Sequence, residues 1–144
     1  MTHEDAGHYA KKHPKGTTAD PKVVQAVKDA AQNGIVTCAA AHGVAADLDV
    51  PPAEIGTAMD LLEFRISKCQ LGLFGYEPEK KVVKPAESLL PELEKALRAV
   101  AADDRLTCVS SWELADKLDI PRMKVSAACE ALGFRIKPCQ LGAF

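Results

Sequence analysis

The chain writes one stretch twice. "FRISKCQLGLF" closes at residue 74 and "FRIKPCQLGAF" closes at residue 144. With an offset of 70 and no gap, residues 35–74 and 105–144 share sixteen of forty positions. These include Thr37/Thr107, Cys38/Cys108, Leu48/Leu118, Asp49/Asp119, Pro51/Pro121, Phe64/Phe134 and the whole Cys-Gln-Leu-Gly block. The register runs upstream to Pro21/Pro91 and Ala26/Ala96. Such a repeat predicts two like units of about 55 residues each, because a solenoid needs three or more. A chain of 144 residues has room for two very small domains.

The pattern divides the chain into a polar arm (1–20), repeat 1 (21–76), a solvated linker (77–90) rich in Pro, Glu and Lys, and repeat 2 (91–144). Each repeat predicts three helices. The first starts at Pro21 or Pro91, where the missing proline N–H is not needed. Val23, Val24, Val27 and Ala30, or Leu93, Leu97 and Val100, line its apolar face. Asp20 is the expected N-cap of the first copy, and Ser88 starts the second. A β-prone "IVTC" or "RLTC" comes next, then a second helix (with Ser110 or Ser111 as cap in repeat 2), a break at "DVPP" or "DIPR", and a third helix. Two β-prone pieces around a turn, "FRI" and "CQLG", close the unit.

Helix, short strand, helix, turn, helix and hairpin is the order of a winged helix. "SWELADKLDIPRMKVSAACEAL" resembles the helix-turn-helix core of that superfamily, with Leu-Ala-x-x-Leu on the second helix, Ile120 in the turn, and Val125, Ala128 and Leu132 on the buried face of the third. Repeat 1 matches through Val44, Ala45, Leu48, Val50, Ile55, Ala58 and Leu62. The fold expected is therefore mostly α with short β-hairpins, as tandem duplicated winged-helix domains. The resemblance also implies that the strand between the first two helices pairs with the last hairpin strand. That would bring Cys38 near Cys69 and Cys108 near Cys139, 31 residues apart in each copy. These cysteines read either as small buried apolar side chains or as thiol pairs that oxidise or hold a soft metal. Two thiolates per copy are too few for a closed tetrahedral zinc site, so the metal is left unknown.

Composition narrows the function classes. Net charge is -2, so bulk charge favours neither nucleic acid nor an anionic membrane. No apolar run is long enough to span a bilayer, the start lacks the apolar core of a signal peptide, and the five cysteines are odd in number; a cytoplasmic protein is expected. There is no Ser-His-Asp pattern, phosphate loop or dinucleotide fingerprint, so neither enzyme activity nor a cofactor is expected. His3, His8 and His13 recur every five residues, roughly 140° apart on a helix, and do not make a preformed site. His42 aligns with Trp112, a position for a packed ring.

The third helix of a helix-turn-helix enters the major groove. In repeat 2, Arg122, Lys124 and Ser126 open it, and Arg135 and Lys137 follow on the hairpin; these are the DNA-binding candidates. Repeat 1 has Glu54 in place of Lys124, and residues 21–76 hold four basic and six acidic residues. Phosphate neutralisation supplies much of DNA affinity, so repeat 1 is a poor reader. The sequence predicts a DNA-binding transcriptional regulator acting through repeat 2. The alternative is a non-enzymatic protein-interaction or assembly module, thiol- or metal-responsive, whose partner is another protein or a second copy of the chain.

Overall fold

The structure, a computed structural model, describes residues 7–144. It is mostly helical, with four short strands among the described residues. The elements are a 3-10 helix (Tyr9–Lys12), α1 (Pro21–Ala30), β1 (Ile35–Thr37), α2 (Cys38–Leu48), α3 (Pro52–Leu61), β2 (Arg65–Ser67), α4 (Pro91–Val100), β3 (Arg105–Leu106), α5 (Cys108–Leu118), α6 (Arg122–Leu132) and β4 (Arg135–Ile136). Among the described residues no helix is long and apolar enough to cross a membrane.

Caps and turns fix the helix ends. Asp20 accepts from the Lys22 amide (2.8 Å) and starts α1 as expected. Leu90 precedes α4 without a side-chain cap, so Ser88 does not serve. Thr37 and Thr107 accept from the amides of Ala40 (3.1 Å) and Ser110 (3.0 Å). In repeat 2 this Thr cap replaces the expected Ser110/Ser111 cap, and in both repeats the helix starts at the cysteine that follows the Thr. Asp49 and Asp119 take left-handed conformations, which a short polar side chain tolerates, and turn α2 into α3 and α5 into α6.

The chain forms two units. One holds the described residues up to Cys69 together with Gln140–Phe144; the other is Gln70–Cys139. The units therefore differ from the expected 21–76 and 91–144: the segment after each second cysteine belongs with the other repeat's helices. In unit 1, Val23 and Val27 of α1, Ala41 and Ala45 of α2, Ile55 and Met59 of α3, Val36, Ile66 and Leu141 are buried together. Unit 2 buries Leu93, Leu97, Leu106, Leu114, Ala115, Val125, Ala128, Cys129 and Leu71. Each large aliphatic side chain fully withdrawn from water contributes roughly 1.5–3 kcal/mol. Val100, expected on the apolar face, is exposed at the end of α4.

The expected hairpins are not formed among the described residues. β1 pairs with β2 in parallel (Val36 opposite Ile66), and β3 with β4 in parallel (Leu106 opposite Ile136). The Cys-Gln-Leu-Gly blocks form no strand. The reason lies in burial: Leu71 and Leu141 are fully buried against helices, which draws the block away from the strand ladder. The polar arm and the linker each bury one apolar side chain, Tyr9 and Val83.

Candidate functional site

The Gln-Leu-Gly part of each repeated block lies against a third helix, Leu141 against α3 and Leu71 against α6. In unit 1 the host is α3. Gly56 lies inside the helix, where glycine costs about 1 kcal/mol relative to alanine. Its lack of a side chain lets the tail backbone come in: a Cβ at Gly56 would overlap the Leu141 carbonyl oxygen and stand 2.7 Å from the carbonyl carbon. Leu141 and Ala143 are buried beside it.

The N-terminal arm closes over this tail. Lys12 Nζ donates to the Gly142 carbonyl (3.0 Å) and lies 3.3 Å from Asp60 Oδ2. His13 Nε2 donates to the same Oδ2 (2.7 Å). Asp60 is on α3, 1% exposed, so its carboxylate needs these partners to offset lost hydration. The amides of Tyr9 and Ala10 both donate to the Glu63 carboxylate at 2.8 Å. Glu63 itself is left-handed (φ 57°), at the position where repeat 2 has Gly133.

In unit 2 the host is α6, and Ser126 stands where Gly56 stands in α3. Its hydroxyl donates to the Leu71 carbonyl (2.6 Å). The amides of Val82 and Val83 donate to the Gly72 carbonyl (2.9 and 3.1 Å), and the Ala86 amide to the Ala127 carbonyl (3.0 Å). Lys81 Nζ meets Glu130 Oε1 at 2.7 Å. Thus Leu71, Gly72, Lys81 and Ala86 meet α6, while most of the linker at 77–90 is exposed as expected. The physical cause of the contacts is that Val82 and Val83 supply both amide donors and, through Val83, an apolar side chain, between flanking lysines.

The DNA-binding candidates separate. Lys124, Arg135 and Lys137 are exposed. Arg122 is engaged: its guanidinium carbon lies 3.6 Å from the centre of the Trp112 ring, and Nη1 donates to Gln70 Oε1 (3.4 Å). Ser126 is fully buried and spends its hydroxyl on the Leu71 carbonyl, so it does not present to solvent.

The cysteines depart from the expected strand positions. Cys38 and Cys108 are the first residues of α2 and α5, while Cys69 and Cys139 follow the closing strands. The Cys108 amide donates to the carbonyl of Pro138, the neighbour of Cys139 (3.1 Å). All five cysteines are reduced; Cys38, Cys69, Cys108 and Cys129 are buried. Burial, helped by Glu130, pushes the Cys129 thiol up to about 12. Among the described residues no group of three or more His, Cys, Asp or Glu could hold a metal. His3 lies outside the described residues. His8 is exposed, and His42 is half-buried on α2 where Trp112 stands on α5.

Sequence reasoning missed Gly56, Asp60, Glu63 and Lys12. Two signals could have found them. A lone glycine inside a helical pattern usually has a packing reason. "KKHPK" at 11–15 also parallels "KKVVK" at 80–84, one residue out of the 70-residue register. The chain matches no protein-family model, no curated protein and no solved structure.

Proposed function

We propose that this protein is a non-catalytic assembly module in which each third helix is a receptor for a Gln-Leu-Gly segment. The observation that carries the reading is the paired docking of Leu141 on Gly56 and of Leu71 on Ser126. Host and guest positions are each 70 residues apart, yet each host takes the guest that belongs to the other repeat. The guest contributes one buried leucine and a backbone whose carbonyls are received by Lys12, Ser126, Val82 and Val83. Apolar anchoring plus main-chain hydrogen bonds is the chemistry of peptide recognition.

The test uses the full chain carrying Leu141→Asp, which removes the anchor. A synthetic peptide of residues 138–144 should raise its melting temperature. Peptide at 100 times its Kd adds about 2.7 kcal/mol, and each kcal/mol shifts a small domain by about 4–8 °C. No shift at millimolar peptide would end the receptor reading.

A second reading, contact with duplex DNA by repeat 2 as a helix-turn-helix unit of the winged-helix kind, is favoured by one feature. The register Arg105 opposite Arg135 sets two exposed arginines side by side, with exposed Lys137 close along the chain. Phosphate contact needs such a cluster. Against it, Leu71, Gly72 and Ala86 already meet α6, and Arg122 and Ser126 are engaged.

A further inference from the structure

We propose that the α3 site exchanges its occupant with a second copy of this chain, so that residues 140–144 of one molecule complete unit 1 of another. The proposal rests on the assembly reading and names the partner. Unit 1 is completed by five residues that lie 71 positions beyond Cys69 and follow directly on Cys139, which belongs to unit 2. A second copy carries the same five residues and offers the same contacts.

The site is selective for this segment over the chain's other one. Gly56 admits the Leu141 carbonyl at a distance no other residue permits. Two positions further along the tail, Ala143 is buried, whereas the matching residue of the other segment is Leu73. Seating Leu73 in the place of Ala143 would add three carbons to a filled space, which packed interiors resist. The α6 site thus has Ser126 and a guest that carries Leu73, and the α3 site has Gly56 and a guest that carries Ala143. The two sites differ by small residues that exclude the wrong guest, and specificity by exclusion is a recurrent device.

Within one molecule the tail is present at an effective concentration on the order of millimolar, so it outcompetes a micromolar second copy. Exchange is therefore exposed by disabling the internal pairing in two complementary ways. Gly56→Ala blocks the site but keeps the tail, and alanine favours the helix. Leu141→Asp spoils the tail but keeps the site. Each alone should sediment as a monomer of 15.4 kDa. Their equimolar mixture at tens of micromolar should give a 1:1 species of twice that mass, and a double variant mixed with Gly56→Ala should not pair at its own spoiled site.

Helix content by circular dichroism is checked for each variant, and Leu141→Ala replaces Leu141→Asp if the latter is unfolded. A mixture that remains monomeric while the 138–144 peptide still binds Leu141→Asp overturns the exchange, leaves the receptor reading standing, and points to a guest from another protein. Failure of both peptide and mixture removes the receptor reading as well. A dimer that forms equally with the double variant overturns the exchange, because the contact then lies elsewhere.

Discussion

Nε2 of His13 and Nζ of Lys12 converge on a single carboxylate oxygen, Oδ2 of Asp60, at 2.7 and 3.3 Å. Both donors come from the arm, and the acceptor sits almost fully buried on α3. The arm is thereby a structural part of unit 1, and Lys12 carries the same clamp on to the Gly142 carbonyl.

Loss of this clamp should be measurable. A hydrogen bond to a charged group contributes about 1.5–3 kcal/mol, so Lys12→Met should lower unfolding free energy by that amount. Replacing Lys12 and His13 together strands the buried carboxylate and should cost about 3–5 kcal/mol. Adding Asp60→Asn should recover part of the loss. Urea titration checks the series, and a Lys12→Met chain as stable as wild type would show that the contact contributes nothing.

Position 56 should respond unlike position 126. Ser126→Ala leaves the Leu71 carbonyl without its donor and should cost about 1–3 kcal/mol, with the segment still docked. Gly56→Ala should free the tail outright. Amide hydrogen exchange then reads the difference: fast exchange at residues 140–144 in Gly56→Ala, and only modest change at 70–74 in Ser126→Ala. Equal behaviour at the two sites would contradict the close approach at Gly56.

Cys129 gives a pH prediction. Its thiol is pushed from 9.0 up to about 12, chiefly by burial. Below pH 9 folded and unfolded chains both hold the proton, so the contribution to stability is fully present. As pH rises from 9 towards 12 the unfolded chain releases the proton and the folded chain does not, so stability is lost. The stability difference between wild type and Cys129→Ala should therefore shift by about 1 kcal/mol against wild type between pH 8 and pH 10. The same burial makes Cys129 slow to react with iodoacetamide, while the less buried Cys139 should label first. Mass spectrometry of the labelled peptides reads the order.

Duplex DNA tests the second reading. If unit 2 binds it, Lys124→Ala with Lys137→Ala should reduce the log–log salt slope by roughly two, because each phosphate contact contributes about 0.9. Arg122→Ala should leave that slope unchanged but alter Trp112 fluorescence, since the guanidinium lies on the indole. Absence of binding by wild type at low salt would remove the DNA reading.

Helix positions were legible because they follow from local signals. Asp20 caps α1, the Asp49 and Asp119 turns form, and Val23, Val27, Leu93 and Leu97 face inward as their spacing predicts. Local propensity failed at "CQLG". Its residues suit a strand, but Leu71 and Leu141 find their burial on helices remote in sequence, and no periodicity encodes a guest 85 residues from its host Gly56. The cysteines were misplaced for a related reason. Thr37 and Thr107 read as strand residues, yet their hydroxyls cap helices and carry Cys38 and Cys108 into the first helical turn. Of the DNA-binding candidates, charge alone identified the exposed Lys124, Arg135 and Lys137; it could not foresee that an aromatic ring holds Arg122.

The seating of residues 140–144 in unit 1 also sets an order of events during synthesis. Every other part of that unit has been made by Cys69, but the leucine that fills its core arrives 72 residues later, at Leu141. At about 5–20 residues per second the ribosome needs roughly 4–14 s to cover that distance. For those seconds α3 presents an open apolar face beside Gly56 on the nascent chain. Closure of that face waits for Leu141 to be made, and any chaperone or neighbouring nascent chain that meets the open face does so within that interval.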